Sequence, residues 1–136
     1  MICAIIFDCF GVIVTADGVK DPLVMELILS LRRRYKTALL SNIGQQGLNL
    51  RFTSEELSRY FDAVIISGDV GIVKPDPGIY NHATKLLGVD PNECVFIDDL
   101  EIHCEGARNI GMYAIQYRDF LQARQELEDL LTSSKD

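Results

Sequence analysis

The sequence predicts a three-layer α/β fold built on a parallel sheet. Short apolar runs alternate with longer stretches of helical periodicity along the whole chain, which is the pattern of strands joined by crossover helices. Each short run is almost continuously apolar, as strands covered on both faces must be. Polar or charged residues follow most of these runs at once, and ligands of such sheets bind at that edge.

Cys3–Phe7 is the first strand. It lacks a basic leader and meets Asp8 immediately, so it reads as a buried strand and not as a signal peptide. Pro22–Tyr35 carries Leu23, Leu27, Ile28 and Leu31 on one stripe of a helix. Arg32–Arg34 reads as its solvated last turn, favoured there by the helix dipole. Thr37–Leu40 is the second strand. Leu48–Tyr60 contains a helix whose start Gly44 and Gly47 blur, and Ala63–Ile66 is the third strand. A glycine-rich loop over residues 67–71 leads to Val73-Lys74-Pro75-Asp76-Pro77. Ile79–Leu87 is a helix stopped by Gly88. Cys94–Ile97 and Tyr113–Gln116 are the last two strands, separated by the helix Ile102–Asn109. Asp119–Leu131 is an amphipathic helix, and the polar tail Thr132–Asp136 is expected to fray.

A chain of 136 residues, 48% apolar and 24% charged, has the size and composition of one globular domain, residues 1–136. Its net charge of −7 argues against non-specific binding to nucleic acid or to an anionic membrane, because both reward positive charge. No apolar run approaches the length of a membrane span. The cysteines, Cys3, Cys9, Cys94 and Cys104, form no Cys-x-x-Cys pair, so a zinc site is not expected. A reducing cytoplasm fits them best.

Taken singly, the residues after the strands are ordinary. Asp8 reads as a turn residue, Ser41-Asn42 as the opening of a helix, Lys74 as a surface lysine, and Asp98-Asp99 as caps. Their common edge changes that reading. Three gathered acids raise one another's pKa unless a cation joins them, and oxygen ligands at that density suit Mg²⁺. An ionised Asp8 is able to attack phosphorus as a carboxylate nucleophile. Lys74 supplies the positive charge that a transferring phosphoryl group needs, and Pro75 restricts the backbone that aims it. Ser41 offers a hydroxyl, and Asn42 an N–H at a helix N-terminus. Asp99 and Asp98 hold the metal, one directly and one through water.

Phe7-Asp8-x-x-Gly11-Val12-Ile13, Leu40-Ser41-Asn42, Val73-Lys74-Pro75-Asp76-Pro77-x-Ile79-Tyr80 and Phe96-Ile97-Asp98-Asp99 occur in that order. This set resembles the haloacid dehalogenase superfamily, and Glu105-Gly106-Ala107-Arg108 with Gly111-Met112 extends the likeness. The Ser-Asn and Asp-Asp variants are most similar to the sugar-phosphate phosphatases and to the phosphatase domain of soluble epoxide hydrolase. The resemblance implies a Rossmann-like core with five parallel strands in the order 5-4-1-2-3. It implies a single-turn loop and hairpin flap over residues 10–18. Direct Mg²⁺ ligands would be Asp8, the main-chain carbonyl of Phe10, and Asp99, with Asp98 behind them. An aspartyl-phosphate on Asp8 is implied, with a phosphorylated substrate that is either small or macromolecular.

Two departures bear on activity. The family's phosphatases carry a second aspartate, the general acid/base, at the position of Phe10. Its loss costs about 10²–10⁴-fold in rate. The resemblance therefore leaves three readings open: a weak phosphohydrolase, a non-catalytic phosphate and Mg²⁺ binder, or a dehalogenase-like enzyme, whose branch also lacks that aspartate. Asp98-Asp99 weigh against the last, since they suit a metal that dehalogenation does not use. His103 stands where related phosphatases commonly carry asparagine; it reads as a helix-surface residue or one behind the metal ligands, with ligation the lesser alternative. The second departure is the cap. Only 32 residues separate Asp8 from Ser41, and 32 separate Ser41 from Lys74. Neither gap holds more than its own crossover, so no cap domain is expected. The mouth should be open to water, or covered by a partner protein or by a second copy in a homo-oligomer.

Overall fold

The computed structural model describes residues 1–133. Its elements are β1 (Ala4–Phe7), α1 (Pro22–Leu31), β2 (Lys36–Ser41), α2 (Gln45–Arg51), α3 (Ser54–Tyr60), β3 (Ala63–Ile66), α4 (Ser67–Val70), α5 (Pro77–Leu87), β4 (Cys94–Asp98), α6 (Glu101–Asn109), β5 (Tyr113–Gln116) and α7 (Phe120–Ser133). The strands form one parallel sheet in the order β3-β2-β1-β4-β5. That is the expected order read from the opposite edge.

Strand alternation builds the two apolar layers. Ile5, Phe7, Leu39, Val95 and Ile97 face α1, α7 and the α2–α3 segment, where Val24, Ile28, Leu48, Phe52, Phe61 and Leu127 meet them. Ala4, Ile6, Ala38, Leu40 and Phe96 face α5 and α6 through Ile79, Tyr80, Ala83 and Ala107. β1 lies between both layers with all four residues buried, which is why its sequence carries no polar alternation.

Four local expectations change. Leu48–Tyr60 is two helices, not one. Phe52 takes extended geometry, and Thr53 starts α3 with a capping box to Glu56; that Thr-x-x-Glu signature was readable in the sequence. Edge-on packing of Phe52 against Phe61, 6.1 Å between centroids, fixes the break in the core. Residues 67–70, expected as loop, form the single turn α4, closed by Gly71. α1 ends at Leu31, and Arg32 does not complement its own helix. Its guanidinium donates to the Ser58 and Arg59 carbonyls at 3.0 and 2.5 Å and to Asp62 at 2.8 Å, satisfying the end of α3 instead. At the other end of the chain, α7 runs on through Thr132 and Ser133, part of the expected tail; residues 134–136 lie outside the described residues.

Between β1 and β2 the chain makes a turn, a hairpin and α1; between β2 and β3 it makes α2 and α3. Neither crossing carries a cap domain. Among the described residues no helix is long and apolar enough to cross a membrane.

Candidate active site

Sheet register brings the candidate residues together. Phe7 pairs with both Leu39 and Ile97, so Asp8 and Asp98, one step beyond, and Ser41, two steps beyond, share the carboxyl edge of three adjacent strands. The Asp8 N–H donates to the Ile97 carbonyl at 2.9 Å and extends the ladder by one step. The chain then turns about the Cys9 carbonyl, which accepts the N–H groups of Val12, Ile13 and Val14. That leaves the Phe10 carbonyl outside the turn's own bonding. Val14 and Lys20 pair as a short hairpin beyond it, two residues longer than the expected flap. Gly11 has φ +89°, and a Cβ there would fall 2.3 Å from an Asp99 carboxylate oxygen. Glycine is therefore required twice over, for the backbone angle and for the space.

Lys74 is buried, and its ammonium is fully engaged. It donates to Asp8 Oδ1 at 2.8 Å, to Asp98 Oδ2 at 2.7 Å and to the Leu40 carbonyl at 3.1 Å, which uses all three donors. A phosphate reaching it must displace one of these acceptors. Asn42 holds the Lys74 backbone from both sides. Its Oδ1 accepts from the Lys74 N–H at 2.9 Å, and its Nδ2 donates to the Lys74 carbonyl at 3.2 Å. The expected N–H of Asn42 at a helix N-terminus does not materialise, because α2 begins only at Gln45. Ser41 is buried and borders the open space of the site.

Asp98 has no exposed surface. Its Oδ1 accepts from the Leu100 N–H at 2.9 Å, and its Oδ2 is shared between Lys74 and His103 Nδ1, the latter at 3.0 Å. His103 is anchored in turn by the Tyr80 hydroxyl, which donates to its main-chain carbonyl at 2.6 Å. Asp8, Asp98 and Asp99 each offer an oxygen within 4.8 Å of the others. Burial, with the Asp98 charge adding, pushes the Asp8 carboxyl up to about 7 against the opposing pull of Lys74. Asp99 is raised by burial and by its neighbour Asp98. Burial disfavours charge on Asp98 too, but the Lys74 ammonium and the Leu100 N–H outweigh it and hold Asp98 below the usual carboxylate range. Three acids facing one lysine leave an excess of negative charge that a divalent cation would offset. The donor set, all oxygen and closely spaced, fits Mg²⁺.

About 260 Å³ of open space is bounded by Asp8, Phe10, Ser41, Lys74, Asp99 and His103, among others. A larger depression of about 480 Å³ lies at the opposite edge of the sheet beside Arg32–Lys36, but it gathers none of the acids. The sequence placed His103 on the helix surface or behind the metal ligands, and its bond to Asp98 is the second of these; it had no signal for the Asn42 bracket or for Arg51, whose guanidinium lies 5.2 Å from the centroid of the Phe10 ring. Arg51 looks like any polar helix residue in the sequence.

A family model described as haloacid dehalogenase-like hydrolase matches residues 4–111. Mouse bifunctional epoxide hydrolase 2 is 32% identical over 123 residues, covering 88% of this chain and 22% of that protein. Mouse N-acylneuraminate-9-phosphatase is 34% identical over 102 residues, covering 74% of this chain and 39% of that protein. The chain thus spans well under half the length of either relative. A haloacid dehalogenase family enzyme from Bacteroides thetaiotaomicron, solved as wild-type protein with magnesium and inorganic phosphate, superposes with a TM-score of 0.65 at 29% identity, covering 74% of this chain and 56% of that one.

Proposed function

Because the chain belongs to the haloacid dehalogenase-like hydrolase family, we propose that it is an Mg²⁺-dependent phosphohydrolase that works through Asp8 and turns over weakly. One observation carries this reading: Asp8, Lys74, Asp98 and Asp99 converge at the carboxyl edge of the sheet, with Asp8, Lys74 and Asp99 bordering one open depression and Asp98 buried behind them. Asp8 is the nucleophile. Its carboxylate oxygen bonds to phosphorus, the ester P–O bond breaks, and the leaving oxygen takes its proton from water; a water molecule then cleaves the acyl-phosphate, releasing inorganic phosphate and returning Asp8. Ser41 and Lys74 bind the phosphoryl oxygens, and Asn42 acts by fixing the backbone of Lys74. Asp8, the Phe10 carbonyl and Asp99 would hold Mg²⁺. Asp98, its oxygens occupied by Lys74, His103 and Leu100, would stand behind these ligands. Bound there, Mg²⁺ would neutralise charge on the transferring group.

The substrate is a phosphorylated molecule, small or macromolecular, that approaches an uncapped mouth. The four free cysteines support a reducing compartment such as the cytoplasm. Phe10 favours a second reading, a phosphate and Mg²⁺ binder without turnover. An aryl-phosphate assay with and without Mg²⁺ separates the two, and halide release without metal would instead indicate dehalogenase chemistry.

Metal binding has its own readout. Mg²⁺ at a hundredfold over its Kd should add about 2.7 kcal/mol of stability, roughly 10 °C in Tm for a domain of this size. Asp99→Ala should abolish that rise. A wild-type Tm that ignores millimolar Mg²⁺ would remove the metal assignment.

A further inference from the structure

Arg51 is a cation without an acid. It ends α2 with its guanidinium over the Phe10 ring. Its Nε is buried and finds no hydrogen-bond partner. No ion pair or hydrogen bond joins the rest of the group to any described residue. Its neighbour Lys20 is different: packed 4.9 Å from the centroid of the adjoining Phe52 ring, it is paired with Glu56 at 2.6 Å. Arg33, Arg34 and Arg59 likewise form no ion pair among the described residues; what sets Arg51 apart is its buried Nε and its place over Phe10. The ring partners its charge but accepts none of the directed N–H bonds a guanidinium makes.

Phe10 connects this cation to the site, since it carries Arg51 and also bounds the depression that holds Asp8, Ser41 and Lys74. A substrate whose phosphoryl group sits at Asp8 and whose remainder crosses Phe10 brings its far end to Arg51. We infer that Arg51 selects phosphomonoesters bearing a second oxyanion, such as a carboxylate, a short chain away from phosphorus. A planar fork binds such a group with two parallel bonds. On this view Phe10, which removes the acid/base, serves as the platform for Arg51. The inference rests on the proposed phosphoester site.

Calorimetric titration in Mg²⁺ tests it, using carboxyalkyl phosphates against plain alkyl phosphates of matching chain length. Wild-type protein should prefer the carboxylated member of a pair by on the order of tenfold, about 1.4 kcal/mol. Arg51→Gln should erase that preference and leave affinity for the plain esters unchanged, and Arg51→Lys should recover only part of it. No preference in the wild type, or the same preference in Arg51→Gln, would overturn the inference. So would an equal loss for both series, which would assign Arg51 to holding the loop. If the plain alkyl phosphates bind neither protein, the phosphoester reading itself has failed, and the inference falls with it.

Discussion

Phe10→Asp is expected to raise Mg²⁺-dependent hydrolysis of an aryl phosphate by about 10²–10⁴-fold, the usual contribution of a general acid/base. Asp8, Lys74 and Asp99, the proposed nucleophile, phosphate-binding cation and metal ligand, already border the depression. On the proposed mechanism, only a group able to protonate the leaving oxygen is missing beside Asp8. The ring of Phe10 is 39% exposed, so its removal opens no core cavity. Asp8→Asn should silence both the parent and the variant, because the amide is no nucleophile. Rates should be normalised to folded protein, since the variant also loses the stack with Arg51. Brisk hydrolysis by the unaltered chain would sink this prediction. His103, which borders the depression and touches Asp98, would then be the proton-transfer group to test next.

The largest stability effect should come from Lys74→Met. Lys74 lies between two buried carboxylates, and its own side chain is 1% exposed. Removing one partner of a buried ion pair typically costs about 3–5 kcal/mol, because the charge left behind has neither water nor counter-ion. Denaturant unfolding in a chelator measures the loss free of any bound metal. Pairing the change with Asp98→Asn removes the stranded charge, so the double variant should be less destabilised than the two single effects summed. Lys74→Met should also lose affinity for beryllofluoride or vanadate in Mg²⁺. A cost below about 1 kcal/mol would mean that water reaches the acids once the ammonium is gone.

Strand positions were legible because burial on both faces leaves a mark, four or five apolar residues in a row and then a polar one; the strand order came instead from the resemblance carried by the four motifs. The membership of the acid–lysine cluster was legible for the same reason, since each member stands directly after a strand or in the loop leading to α5. What each polar side chain bonds to was not. Asn42 follows a strand as an anion-binding residue would, yet its amide serves the Lys74 backbone across the loop. Arg32–Arg34 looked like one helix end, but Arg32 belongs to the end of another helix, a tertiary contact that no local pattern records. The break at Phe52 had a local mark in Thr53-x-x-Glu56, but the apolar pattern continues through it because Phe52 and Phe61 both face the core across the gap.

The central position of β1 has a consequence during synthesis. Its first neighbour, β2, follows after a short crossover, but its second, β4, begins only at Cys94. At about 5–20 residues per second, a growing chain takes roughly 4–17 s to make the intervening stretch. Until then the Ala4–Phe7 backbone is an open edge of unpaired N–H and C=O groups flanked by isoleucines, a template for pairing with other nascent chains. A ribosome stalled before β4 would display that edge indefinitely. The segment around Ile5 and Ile6 is therefore the place where a co-translational chaperone would be found on this chain, and where a truncated product would begin to aggregate.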